Sequence, residues 1–106
     1  MRSRETFRAD VATQLSWLRA RRSPKEHQRL RAALTAFRKR VAAHAALGYE
    51  IERDGVDSYR VFHVGAGLPY LVWYVYSVSH RRAPVDLLML LHVAQDRDRF
   101  DARRFD

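Results

Sequence analysis

The sequence lacks cysteine and contains few of the residues that interrupt regular structure. Its 106 residues include no Cys, four Gly and three Pro. The absence of cysteine excludes a disulfide framework and thiolate metal ligands. The longest apolar runs are long enough only for β-strands and fall well short of the ~20 residues of a membrane-spanning helix. No apolar stretch follows the N-terminal residues, so we expect no secretory signal and a single soluble, cytoplasmic domain over residues 1–106.

Motifs for metals and cofactors are also missing from the sequence. The five histidines are scattered and do not show the pairwise spacing of metal ligands, so we expect no metal site. The segment Gly65-Ala66-Gly67 lies between two strand-like segments and predicts a hairpin turn instead of a phosphate-binding loop. The sequence therefore predicts no bound cofactor.

Acidic residues are scarce in the first half of the chain. Residues 1–48 contain 12 Lys and Arg but 3 Asp and Glu, whereas residues 49–106 contain 8 and 9. One interpretation is a solvated helical surface in an arginine-rich protein. The other is a surface that faces nucleic acid or an acidic protein. The basic residues that such a surface would use are Arg29, Arg31, Arg38, Lys39 and Arg40.

Apolar residues at helical spacing predict a first helix from Arg4 to Arg21, with Ser3 as its N-cap. A second start signal follows at Ser23-Pro24-Lys25-Glu26, which combines an N-cap serine, a proline at the first helical position and a glutamate at N3. This helix should run to about residue 46 and end at Leu47-Gly48, where we expect glycine to form a left-handed cap. Because the connection between the helices is short, residues 4–47 should form an antiparallel helical hairpin.

Three segments rich in β-branched and aromatic residues predict an antiparallel meander over residues 58–93. They cover residues 59–64, 68–76 and 85–93, and the breaks between them contain glycine and proline. Residues 49–57 are polar and predict an ordered connection, and residues 94–106 predict a charged tail. The expected fold is α+β, with the helical hairpin packed on one face of a small, mainly antiparallel sheet of three to four strands.

Strict alternation along the strands would assign every side chain to one face of the sheet. The core under the helical hairpin is then expected to contain Val72, Tyr74, Leu87, Met89 and Leu91. The opposite face is expected to display Leu71, Trp73, Val75, Leu88 and Leu90. An exposed apolar patch of this kind predicts a protein partner. The alternative is that the tail or self-association covers this face.

The order of these elements, together with two short motifs, resembles the RelE/ParE toxin superfamily. The motifs are Leu-Pro-Tyr-x-x-x-Tyr at residues 68–74 and Leu-Leu-His-Val-Ala-Gln-Asp at residues 90–96. Proteins of this superfamily are the toxins of bacterial type II toxin–antitoxin and plasmid-stabilisation modules. The resemblance covers nearly the whole chain. It implies a small sheet with the helical hairpin on one side, usually preceded by a strand for which residues 1–3 are barely long enough.

Two arginines that are common in the family are missing. Leu71 follows the tyrosine of the middle strand, and Gln95 precedes the aspartate of the closing motif, where family members commonly carry arginine. In RelE-like ribonucleases, which cut messenger RNA in the ribosomal A site, arginines in these regions help to bind the scissile phosphate. If ribonuclease activity is retained, the candidate acid or base is His92. The candidate phosphate ligands are Arg60, Arg97 and Arg99.

The resemblance implies a toxin that inhibits growth and is neutralised by a protein antitoxin in a hetero-oligomer. We expect ParE-like inhibition of DNA gyrase, because inhibition by binding requires no catalytic constellation. The alternatives are a RelE-like ribosome-dependent endoribonuclease, a catalytically inactive interaction module and a basic nucleic-acid-binding domain. The antitoxin should be an acidic segment that folds onto the apolar sheet face or along the helical hairpin. No membrane partner is expected.

Overall fold

The computed structural model describes residues 1–21, 23–65, 67–79 and 83–93. It contains two helices packed on a five-stranded mixed sheet, which confirms the predicted α+β class. In chain order the elements are β1 (Arg2–Ser3), α1 (Glu5–Ala20), α2 (Pro24–Ala43), β2 (Tyr49–Asp54), β3 (Asp57–Val64), β4 (Tyr70–Ser77) and β5 (Val85–His92). None of the described helices is long and apolar enough to cross a membrane.

The strands follow the order β1-β5-β4-β3-β2. The antiparallel meander of β3, β4 and β5 was predicted, and glycines with positive φ at Gly65 and Gly67 mark its first turn. The strand count was too low, because β1 pairs parallel to β5 and β2 pairs antiparallel to β3. Strand β2 escaped prediction because it is an edge strand whose residues are almost all exposed, so no apolar alternation marks it.

The two helices form an antiparallel hairpin, as predicted. Arg19 near the end of α1 lies 3.4 Å from the ring of His27 near the start of α2. At the other end of the hairpin, the Arg38 guanidinium lies 5.6 Å from the centre of the Phe7 ring. The expected N-cap of α1 is wrong: Ser3 belongs to β1, and its hydroxyl contacts the Arg38 guanidinium at 3.4 Å.

The second helix begins at the predicted proline, with Ser23 at the N-cap position, but ends at Ala43 and not at about residue 46. The expected left-handed cap at Gly48 is also wrong, because Gly48 does not have a positive φ. Gly48 serves a different purpose. A Cβ atom at this position would lie only 2.6 Å from the carbonyl oxygen of Val61, so the chain leaving α2 can approach β3 only without a side chain.

A bulge in β5 reverses the alternation of faces. Tyr74 pairs with Leu87 and Trp73 pairs with Met89, so Leu88 falls between two paired positions. Two residues of one strand then oppose one residue of its partner, and every later side chain moves to the other face. Leu87 therefore lies under the helices as predicted, together with Val72 and Tyr74.

Beyond the bulge the predicted faces are wrong. Leu90 joins the core under the helices, whereas Met89 and Leu91 pack with Val61 on the opposite face. Leu71 and Trp73 pack against this second cluster, as predicted for their face. The sheet thus separates a large helical core from a smaller apolar cluster.

Candidate functional site

The outer surface of the two helices is strongly basic. Exposed acidic side chains among the described residues of α1 and α2 are limited to Glu5 and Glu26. We call the exposed basic residues of both helices the basic helical surface; they are Arg8, Arg19, Arg21, Lys25, Arg29, Arg31, Arg38, Lys39 and Arg40. The five basic residues selected from the sequence all belong to it. The surface forms because the apolar stripe of each helix faces the sheet and leaves the cations in water.

Some residues of this surface also support the fold. The Arg38 guanidinium lies against Phe7, and the Arg40 guanidinium lies 5.3 Å from the centre of the Phe62 ring. Their side chains therefore cover core aromatics in addition to carrying charge. By contrast, Arg31 and Lys39 are exposed, and within the described part of the chain their side chains make no hydrogen bond or ion pair. The charge of these two residues is therefore available to a partner.

An aromatic residue extends the basic helical surface at the tip of the hairpin. Trp17 is 47% exposed, and the Arg21 guanidinium lies 4.6 Å from the centre of its ring. Tryptophan and arginine are enriched among the residues that dominate binding energy at protein interfaces. Trp17 was not among the site residues predicted from the sequence, although its position beside the apolar stripe of α1 was a usable signal.

A shallow cavity of about 480 Å³ opens on α2 near the same tip. Its walls are polar or small and consist of Pro24, His27, Gln28, Arg31, Ala32 and Thr35. The cavity gives the basic helical surface a concave site that a side chain from a partner can enter. A carboxylate at this site would lie beside Arg31.

The opposite face of the sheet is less open than predicted. Leu71, Trp73 and Val75 lie on this face and are half-buried, whereas Met89 is 1% exposed. Of the two remaining residues of the predicted antitoxin-binding patch, Leu88 is buried in the bulge and Leu90 is 1% exposed under the helices. The prediction that Leu90 belongs to this patch is therefore wrong. Contact of a partner with Leu71, Trp73 and Val75 stays a prediction.

Of the candidate catalytic residues, the two that the structure describes, Arg60 and His92, are not brought together. Arg60 pairs across the strands with Tyr74, and His92 pairs with Tyr70, four positions away along β4. This offset separates them by roughly 13 Å along the sheet, with an additional strand between them. His92 is half-buried with its ring edge-on to Tyr70 at 5.4 Å between ring centres. Arg97 and Arg99 lie outside the described residues.

The side chain of Arg60 makes hydrogen bonds that support the fold. Its guanidinium donates hydrogen bonds to the carbonyl oxygens of Gly48 and Ala46 and to the hydroxyl of Ser58. The Ser58 hydroxyl in turn donates to the Glu50 carboxylate at 2.6 Å, and this hydrogen bond is the main reason that the pKa of Glu50 lies below its ordinary value. Arg60 therefore fastens the chain leaving α2 to β3, and these contacts use three of the five N–H groups of its guanidinium.

Comparisons of the chain with protein-family models, with curated proteins and with solved structures find no match. Within the described ranges, no three His, Asp or Glu side chains are grouped as metal ligands.

Proposed function

We propose that this protein is the toxin of a bacterial type II toxin–antitoxin module and that it acts by binding DNA gyrase in a ParE-like manner. The observation that carries the proposal is the charge of the helical layer. Its outer surface presents arginine and lysine almost without acidic neighbours, and within the described ranges the side chains of Arg31 and Lys39 make no hydrogen bond or ion pair. A surface of this kind favours rapid association with an acidic partner.

The arrangement of the sheet supports binding over catalysis. Cleavage of RNA through its 2′-hydroxyl requires an acid, a base and cations around one phosphate. Arg60 donates hydrogen bonds to backbone carbonyl groups, and His92 lies four residue positions away along the sheet, with β4 between them. Inhibition by binding requires no such assembly. The RelE-like ribonuclease is therefore the alternative function, and the experiment below distinguishes it from gyrase inhibition.

The same surface supports neutralisation by an acidic antitoxin segment. Trp17, the adjoining arginines and the cavity beside Arg31 offer an aromatic anchor, charge and a concave site. Because the apolar patch of the opposite face is largely buried, the helical hairpin is the better of the two docking surfaces considered for the antitoxin. A disordered acidic segment would acquire order on binding there.

Induced expression in bacteria and a gyrase supercoiling assay with purified protein test the proposal. The informative variant combines Arg31→Ala with Lys39→Ala, because both side chains are exposed and form no hydrogen bond or ion pair with the described part of the chain. Arg53→Ala is the control, since Arg53 is an exposed cation on β2 outside the helical layer. We expect the wild type and the control to slow growth and inhibit supercoiling, and the double variant to be impaired in both.

The other function classes give different outcomes in the same experiment. Cleaved message on translating ribosomes with normal supercoiling would favour the RelE-like ribonuclease. Normal growth with neither activity would favour an inactive interaction module. DNA binding that weakens steeply as salt rises, without inhibition of gyrase, would favour a nucleic-acid-binding domain.

A further inference from the structure

A second concave site lies on the face of the sheet opposite the helices. This cavity of about 540 Å³ is of a size typical for small-molecule sites. Its walls come from four strands and the ends of the β4–β5 connection, and we call it the sheet pocket. The residues that matter for its chemistry are Arg2, Arg4, Asp57, Tyr59, Val75 and Asp86.

The sheet pocket has positive charge at one end and negative charge at the other, because the residues that carry them come from strands far apart in the sheet. Arg2 and Arg4 flank the pocket at the β1 end, and Asp57 lies at the β3 end. Strands β5 and β4 lie between these ends, so three strand spacings, or roughly 14 Å between backbones, separate them. Tyr59 and Val75 provide an aromatic ring and an apolar surface between the two charged ends. The pocket therefore suits an elongated ligand with opposite charges at its two ends.

Asp86 adds an acceptor at the basic end of the pocket. One carboxylate oxygen, Oδ2, accepts a hydrogen bond from Nε of Arg4 at 2.9 Å. The residue is only 9% exposed, and among the described residues Oδ1 has no hydrogen-bond partner. The part of the Asp86 side chain that stays accessible lines the pocket, so the carboxylate can attract a ligand ammonium group there.

We propose that the sheet pocket binds an α-amino acid with a cationic side chain, such as free L-arginine. The α-carboxylate pairs with Arg2 and Arg4, and the α-ammonium group pairs with the carboxylate of Asp86. The cationic side chain crosses Val75 and reaches Asp57 beside the Tyr59 ring, where an ion pair and a cation–π contact hold it. This inference is independent of the proposed gyrase inhibition and concerns the other face of the sheet.

Three ligands that differ by one group test the assignment by isothermal titration calorimetry on the full chain. L-arginine contains both charged ends, agmatine lacks the carboxylate, and L-citrulline replaces the guanidinium with a neutral group of similar shape. We expect saturable binding of L-arginine and about tenfold weaker binding of each of the other two, because a hydrogen bond to a charged group is lost in each case.

Two variants assign the ends of the pocket. Arg2→Gln should weaken binding of L-arginine about tenfold while leaving agmatine unchanged. Asp57→Asn should weaken binding of L-arginine to the level of L-citrulline and leave L-citrulline unchanged. Arg53→Ala is the control for loss of a cation on the other side of the sheet, and thermal unfolding of each variant checks that the fold is retained.

Absence of saturable binding of L-arginine at millimolar concentration would overturn the proposal. Equal binding of L-arginine, agmatine and L-citrulline would also overturn it, as would binding that persists unchanged in folded Arg2→Gln and Asp57→Asn. None of these results bears on gyrase inhibition, which is measured separately.

Discussion

The hydroxyl group of Tyr74 accepts a hydrogen bond from the backbone N–H of Gly48 at 2.7 Å. The same hydroxyl donates to the carbonyl oxygen of Ala45 at 2.9 Å, so the middle of the sheet holds the segment that leaves α2. The ring is fully buried and lies 5.9 Å from the ring of Phe37. Tyr74 therefore links the helical layer and the sheet through both its ring and its hydroxyl.

Removing this hydroxyl should destabilise the fold without changing the core volume greatly. Tyr74→Phe leaves the buried N–H of Gly48 without its acceptor, so we expect the free energy of unfolding to fall by about 1–3 kcal/mol. Urea denaturation measures the change. Tyr76→Phe is the matched control, because Tyr76 lies on the same face but is only half-buried. Equal loss in the two variants would contradict the proposed link.

The buried tyrosines predict a loss of stability at high pH. Burial raises the pKa of Tyr74 and, with a contribution from Glu26, that of Tyr70. Because each pKa is higher in the folded than in the unfolded state, the folded protein holds these protons more tightly. The stability that this provides is complete below about pH 10 and is lost as the pH rises through the folded-state values.

Urea midpoints measured from about pH 8 to about pH 11 test this dependence. The wild type should be constant at the lower values and should fall above about pH 10. Tyr70→Phe removes one of the two raised groups, so its midpoint should fall less steeply over the same interval. An identical slope in this variant would show that Tyr70 does not contribute.

The bulge in β5 predicts unequal costs for two leucine substitutions. Leu90 is 1% exposed in the core under the helices, so Leu90→Ala should cost about 2–5 kcal/mol of unfolding free energy. Leu71 on the opposite face is half-buried, so Leu71→Ala should cost less. Chemical denaturation of both variants tests the assignment. A larger loss for Leu71→Ala would indicate that the alternation continues without a bulge.

Strand β1 pairs with β5 only at Asp86 and Leu87. Beyond these residues, a side chain of α1 hydrogen-bonds to the same edge of β5. The Asp10 carboxylate accepts a hydrogen bond from the backbone N–H of Leu90 at 3.1 Å. Asp10→Ala should therefore accelerate amide hydrogen exchange at Leu90 and lower stability by about 1–3 kcal/mol. Thr13→Ala, an exposed position on the same helix, is the control. Unchanged exchange at Leu90 in Asp10→Ala would show that this hydrogen bond does not protect the Leu90 amide.

Local patterns in the sequence predicted much of this fold. Proline at the start of α2 and glycines between β3 and β4 fixed those boundaries, because each residue restricts or permits a particular backbone conformation. Strand β2 was missed because an exposed edge strand requires no apolar face. The bulge was missed because residues 87–90 are all apolar. Nothing in this run marks the residue at which the side chains switch from one face of the sheet to the other.

The candidate surfaces differ in how far the sequence predicts them. The basic helical surface follows from composition, because helical periodicity places the apolar stripe inward and leaves the arginines outside. The sheet pocket could not be predicted in this way. Arg2, Asp57 and Asp86 are distant in sequence and come together only through the strand order, in particular the parallel pairing of β1 with β5.

Inhibition of gyrase supercoiling by the purified protein is the most direct test of the proposed function. We expect the wild type and Arg53→Ala to block supercoiling, and the double variant Arg31→Ala with Lys39→Ala to do so weakly or not at all. Normal supercoiling in the presence of folded wild-type protein would contradict gyrase binding. Equal inhibition by the wild type and the double variant would contradict the role of the basic helical surface.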